Sequence, residues 1–353
     1  MILCEPFAGM VGVSFGTMGC KPPISWMGNK AGYYTAIANL LGLSRLNPPA
    51  AYVWGDVGPN IAALACLFGA AGSAEEVGRW LVHGSMCATG GGYSGPDPLR
   101  VSNWKPAVSI SGLGARCESI GAPEVAAIIR GWRDEEPRAL WSRLKAAGWP
   151  SLMMPEGSGG RWLGPQSVDE VANLLFVAMR SWSNYEIGHV YKDYEKHANN
   201  GTRGEPLPPI PVLADRVAAL PTKPPMVACW QGRAEDMRLP ERLDGWIMYV
   251  DGPYHGDGSR KVTGYKHGGC SRETQLALAA EWHRRGALVA VSESVPLGKE
   301  LSALTGHPWE TVDIAPERNG QKRTFSAESG EWVTINQKPR VTPGSQVALF
   351  RHT

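Results

Sequence analysis

Short apolar runs that each stop at an acid or a glycine constrain this chain more than any other feature. Ile2 to Cys4 runs into EPFAG, AAYVWGDV reaches an acid at Asp56, PPMVACWQG ends in a glycine, WIMYV runs into DGPY at 251 to 254, and ALVAVSES carries its acid near its end. Runs of this length, rich in branched and aromatic residues and bounded by turn formers, read as buried strands. Between them lie helical patterns. AGYYTAIANLLGL places Tyr34, Ile37, Leu40 and Leu41 at helical spacing with Gly42 as the stop, Pro59 suits the first turn of NIAALACLFGAAG, and SRETQLALAAEWHRRG is amphipathic. VGVSFG at 11 to 16 fits either a helix or a second extended piece. Strands alternating with helices predict an α/β, doubly wound sheet whose ligand sits outside the carboxyl ends of the strands.

The pattern is interrupted once. From Ser73 to Met226 it gives way to the glycine loop TGGGYSGPDP, scattered tryptophans, the helical stretches APEVAAIIRGWRDEEPRALWSRLKAAGW and SVDEVANLLFVAMRSW, and the proline-rich EPLPPIPVLADR. This predicts a catalytic core formed by 1–72 and 227–353, with 73–226 as an inserted, mostly helical domain with long loops. Trp132, Trp141 and Trp149 sit on helical patterns and read as core. HVYKDYEKHANNGTRGE at 189 to 205 suits groove contacts and an ordinary exposed loop equally.

Composition removes several classes. A formal charge of +2 leaves any nucleic-acid contact to a local basic face rather than to the whole surface. The cysteines at 4, 20, 66, 87, 117, 229 and 270 form no CxxC pair, so neither a disulfide framework nor a zinc site is expected. MILCEPFAGMVGV has no basic segment before its apolar residues, and no window is apolar enough to cross a membrane. The expectation is a cytoplasmic protein without a zinc site. Its oligomeric state cannot be read.

At the strand ends, Gly9 lets backbone approach a ligand closely, and Asp56 is placed to accept from ribose hydroxyls or to cap the next helix. Asp251, Gly252, Pro253 and Tyr254 put a carboxylate and a flat ring side by side, and QGRAED at 231 to 236 supplies further acids. Together these residues resemble the amino-methylating DNA methyltransferases, the Dam-like adenine group and its phage relatives. EPFAG, with Val13 and Phe15, resembles that family's S-adenosylmethionine turn, which assigns cofactor contacts to Glu5, Pro6, Phe7, Ala8 and Gly9. SWMGNK resembles its Trp, Gly, Gly, Lys signature, which adds Trp26, Gly28, Asn29 and Lys30. Asp56 takes the place of the ribose-binding acid, and DGPY that of the catalytic Asp, Pro, Pro, Tyr. VTGYKHG, EWHRRGALVAVSES and EWVTINQ extend the likeness over roughly 1–70 and 227–350.

Three departures stand out. SWMGNK follows EPFAG, whereas in Dam itself the signature comes first. Val11 replaces a motif glycine, which predicts a turn shifted onto Gly12. Arg233 stands where the family has an acid against the cofactor's adenine ring, leaving Glu235 or Asp236 as substitutes.

The resemblance implies a Rossmann-like methyltransferase sheet, with the insertion as target-recognition domain on double-stranded DNA. The exocyclic amine of adenine is a poor nucleophile because its lone pair is delocalised. Asp251 and the Gly252 carbonyl would each accept one amine hydrogen, Pro253 would brace them, and Tyr254 would stack on a flipped base at about 1 to 3 kcal/mol. The loop at 255–269, with Arg260, Lys261, Tyr265 and Lys266, would close over the nucleotide with its cations on phosphates. Gly in place of the second family proline predicts a competent but looser tetrad, with Gly252→Pro at least as active. Two alternatives remain open: methylation of the cytosine N4 amine, and a DNA-binding relative whose site has decayed. A nicotinamide enzyme is disfavoured, because the first turn lacks the third spaced glycine. The likeness also implies a metal-free reaction in a bacterial or phage-infected cell, and leaves restriction-modification, phage protection and regulation open as its role.

Overall fold

The computed structural model describes residues 1–9, 11–23, 33–56, 59–68, 121–152, 168–180, 197–198, 205–206, 209–221, 226–231, 233–237, 239–255, 270–314 and 331–337. Its centre is a mixed sheet of seven strands. In chain order these are β1 (Ile2–Glu5), β2 (Ala51–Asp56), β5 (Met226–Gln231), β6 (Trp246–Val250), β7 (Leu288–Glu293), β8 (Glu310–Asp313) and β9 (Trp332–Ile335). A separate two-residue pair joins β3 (His197–Ala198) to β4 (Glu205–Pro206).

Across the sheet the order is β5-β2-β1-β6-β7-β9-β8. The first five run parallel, and β9 lies antiparallel between β7 and β8. From β1 the chain winds outward through β2 to β5, then returns to the other side of β1 with β6 and continues to β7. The winding therefore reverses between β1 and β6, and in an open α/β sheet the ligand crevice lies outside the carboxyl ends at that reversal.

The apolar runs are nearly continuous because both sheet faces are covered. Alternate residues separate cleanly: Leu3, Tyr52, Trp54, Ile247, Tyr249 and Ala290 belong to one buried cluster, while Cys4, Val53, Met248, Val250, Val289 and Val291 belong to the other. On the first face lie α1 (Gly12–Met18), α2 (Tyr34–Leu40) and α3 (Pro59–Phe68). The second carries α8 (Arg272–Arg284) and α9 (Gly298–Thr305), through Leu276, Trp282 and Leu301.

The segment read as an insertion contributes α4 (Ala122–Gly131), α5 (Pro137–Leu152), α6 (Val168–Arg180) and α7 (Ile210–Ala218). Val125, Ile129, Leu174, Phe176, Leu213 and Val217 join the same buried cluster as Leu3 and Trp54. Among the described residues these helices thus extend the first face's core rather than enclosing a separate one. Trp141 is buried there, Trp132 packs edge-on against Phe176 at 5.7 Å, and the Trp149 side chain lies outside the described residues. The boundary at 73 lies outside them too, and the one at 226 coincides with the first residue of β5. The proline-rich stretch is partly helix: Pro209 is the N-cap of α7 and Pro211 sits in its first turn, where a missing N–H costs nothing.

No helix among the described residues is long and apolar enough to cross a membrane. Nor does any group of three or more His, Cys, Asp or Glu side chains there stand ready for a metal ion.

Candidate functional site

The site is built where the sheet reverses. β1 ends at Glu5, and the chain turns through Pro6 to Gly9 with Gly9 at φ 50. Two hydrogen bonds tie this turn to the end of β2: Ala8 N–H donates to Gly55 O at 2.7 Å, and Gly9 N–H donates to Asp56 Oδ2 at 2.7 Å. Asp56 therefore holds the glycine turn against its own strand end while remaining partly exposed at the sheet edge.

Val11 is the N-cap of α1 at φ 43 and ψ 52, the left-handed region. The expected shift of the turn onto Gly12 does not occur. Gly12 is already helical, and the valine itself adopts the conformation that a glycine would take freely. For a β-branched residue that is a true outlier. Its side chain is fully buried in the cluster that holds Phe15 and Trp54.

Beneath the turn lies a buried polar chain that sequence reasoning missed. Glu5 Oε2 accepts the Ser14 N–H at 3.1 Å and is also bonded by the Ser14 hydroxyl. Trp54 Nε1–H donates to Ser14 Oγ at 2.9 Å, and Thr17 Oγ1 meets the Tyr52 hydroxyl at 2.9 Å. The Glu5 carboxylate thus caps the first turn of α1, where N–H groups have no helical partner. Burial pushes its carboxyl up to about 7; the Ser14 hydrogen bonds oppose this, and the charge of Asp251 adds to it.

Asp251 follows β6 directly and is partly exposed, with Gly252 and Pro253 buried behind it. Its charge acts on Glu5 across the β1–β6 junction and on Tyr249 and Tyr254 in its own segment. Tyr254 is half-buried, and its hydroxyl donates to Glu331, immediately before β9. Burial first, then the charges of Asp251 and Glu331, hold this phenol well above its ordinary value, so it stays protonated. Glu293, at the end of β7, accepts the His255 N–H at 2.8 Å on Oε2 and the Ser294 N–H at 2.7 Å on Oε1. His255 Nε2 in turn lies 2.8 Å from Cys270 O. The segment after β6 is therefore held by carboxylates from β7 and from the start of β9. Glu293 and Glu331 lie in the stretches ALVAVSES and EWVTINQ, but nothing local showed that they would hold this segment.

Gly252, read from sequence as a loss of rigidity, has a different physical role. Its Cα faces the side chain of Gln275 from α8, whose Nε2 donates to Pro253 O at 2.8 Å. A Cβ at residue 252 would meet that amide, so the space a side chain would take is already filled.

Glu235 and Asp236 lie on a short 3-10 turn after β5 and are exposed. Arg233 sits beside Glu235 at 3.5 Å, a solvent-facing pair of little energetic weight. The structure thus brings Glu5 to Gly9, Asp56, and Asp251 to Tyr254 to the carboxyl ends of three adjacent strands, with Glu235 and Asp236 beyond the end of β5. Trp26, Gly28, Asn29, Lys30, Arg260, Lys261, Tyr265 and Lys266 lie outside the described residues.

Chemically the crevice offers a glycine turn, a partly exposed acid on each side of the β1 end, and a half-buried aromatic ring beside one of them. Among the described residues the acids at this crevice suit a cationic group. Comparison with protein-family models and with curated proteins gave no match to this chain.

Proposed function

We propose that this chain is an S-adenosylmethionine-dependent DNA methyltransferase acting on the N6 amine of adenine in double-stranded DNA. The observation that carries the proposal is the convergence of EPFAG, Asp56 and DGPY at the carboxyl ends of β1, β2 and β6, around the point where the sheet reverses. Three segments that resemble one family's motifs, the first and last more than two hundred residues apart in the chain, lie together at the carboxyl ends of adjacent strands.

The residues present fit the cofactor chemically. The Gly9 turn allows close backbone approach, Asp56 adjoins it for ribose hydroxyls, and the acidic surroundings of Glu5 and Asp251 favour a sulfonium and an ammonium. When bound, S-adenosylmethionine supplies the electrophilic methyl. The chain's own part is positional. Asp251 accepts one hydrogen of the target amine and steadies the positive charge that develops on nitrogen, and the Gly252 carbonyl accepts the other. Tyr254 offers its face to the flipped base while Glu331 holds its hydroxyl and so fixes the ring. In this reading 73–226 carries target recognition, and 255–269 covers the nucleotide.

The test is transfer of a labelled methyl group from S-adenosylmethionine to mixed-sequence duplex DNA by the wild type and by Asp251→Ala. The proposal expects incorporation in the first. In the second it expects loss of at least a thousandfold, with S-adenosylmethionine affinity within a few-fold of wild type. Turnover retained by the variant removes the tetrad from the mechanism.

A further inference from the structure

Gly252 and Gln275 occupy one space. A Cβ placed on residue 252 would lie 2.6 Å from Gln275 Nε2, 2.7 Å from its Cδ and 3.0 Å from its Oε1. The first two distances are shorter than real Cβ contacts and the third is tighter than most, and all three atoms belong to one amide, so the amide meets Gly252 broadside. Gln275 is 4% exposed, so its side chain has no open solvent to retreat into. It is also anchored at both ends. Its Nε2 donates to Pro253 O at 2.8 Å, and its backbone N–H donates to Ser271 O at 3.0 Å in a first turn capped by the Ser271 hydroxyl on Thr274 N–H.

The tetrad needs such an external hold. Glycine at 252 leaves the backbone between Asp251 and Tyr254 its widest freedom. Pro253 fixes its own φ and narrows Gly252, yet it leaves free the rotation that aims its carbonyl and the following ring. A hydrogen bond on Pro253 O stops that rotation.

We propose that Gln275 is a positioning residue for the Asp251 to Tyr254 segment: its buried amide fills the place of a side chain at 252 and clamps the Pro253 carbonyl. The helix after the strand thereby sets the separation of carboxylate and ring. The catalytic consequence rests on the methyltransferase reading; the clamp itself does not. It also reverses the expectation for Gly252→Pro, whose ring would displace the amide.

Gln275→Met tests the clamp, because it keeps length and bulk while removing the donor. It should lower kcat about tenfold, the worth of one buried hydrogen bond, and lower the melting midpoint by a few degrees, with KM for S-adenosylmethionine near wild type. Gly252→Ala should lower kcat at least as much in the wild-type background and far less in the Gln275→Ala background, where the space is empty. Wild-type kcat in Gln275→Met, or an equal loss from Gly252→Ala in both backgrounds, overturns the proposal. Should the wild type transfer no methyl group, the functional reading fails while the clamp is still decided by melting. Non-additive midpoint shifts across the 252 and 275 cycle support it, and additive shifts refute it.

Discussion

Replacing Val11 by glycine should leave a protein about as stable as replacing it by alanine, where glycine is ordinarily the worse of the two. Val11 sits at φ 43 and ψ 52 with 0% exposure. A left-handed conformation costs an L-residue roughly 1 to 2 kcal/mol, whereas burying a valine is worth about 1.5 to 3 kcal/mol, so the native residue holds its strained backbone through packing. Val11→Ala removes two methyl groups from the cluster around Phe15 and Trp54 and keeps the strain. A loss of about 2 kcal/mol is expected. Val11→Gly removes one more carbon, at about 0.8 kcal/mol, but relieves the strain. Glycine's own backbone entropy takes back about 0.5 to 1 kcal/mol, so the two variants should come out about level instead of glycine trailing by its usual amount. Urea unfolding of the three proteins at one pH, with slopes compared, measures the differences. If Val11→Gly is about 1 kcal/mol less stable than Val11→Ala, residue 11 is not held left-handed in the folded protein.

Glu5 predicts a pH dependence. Its folded carboxyl lies near 7 against an ordinary 4.5, so its stabilising contribution is complete below the ordinary value and is lost as pH rises through about 7. That difference corresponds to at most about 3 kcal/mol by pH 8, and Glu5→Gln should flatten the fall in urea midpoint between pH 5 and 8. An unchanged slope in the variant would show that Glu5 ionises normally. Tyr254→Phe keeps the ring but leaves Glu331 without the phenol donor, and should reduce kcat about tenfold or less. Tyr254→Ala also loses the stacking face and should weaken DNA affinity by a further ten- to hundredfold, measured as KM. An alanine variant no worse than phenylalanine would end the stacking assignment.

The parallel strands were legible because burial on both faces turns each into a continuous apolar run. α1 was not, since VGVSFG mixes branched residues with glycine and its start is set by a distant carboxylate, Glu5 on Ser14. α7 hid behind prolines, yet Pro209 at the cap and Pro211 in the first turn stand where helices accept them. Of the site, the acids at strand ends could be read locally, Glu293 among them, whereas the partners of Glu293 and Glu331 and the place of Gln275 could not. Glu331 meets Tyr254 across 77 residues of chain, through the antiparallel placement of β9 beside β7. Gln275 meets Pro253 across 22, through the packing of α8 on β6. Gly252 shows the limit best: its missing side chain looks like lost stiffness until the amide that fills its place is seen.

The central claim is settled by the identity of the methylated nucleoside. Duplex DNA of mixed sequence, incubated with the full chain and methyl-labelled S-adenosylmethionine and then digested, should carry its label in N6-methyladenosine. Label in N4-methylcytidine would move the same site to another base, and DNA that is bound but unlabelled would contradict the enzyme altogether.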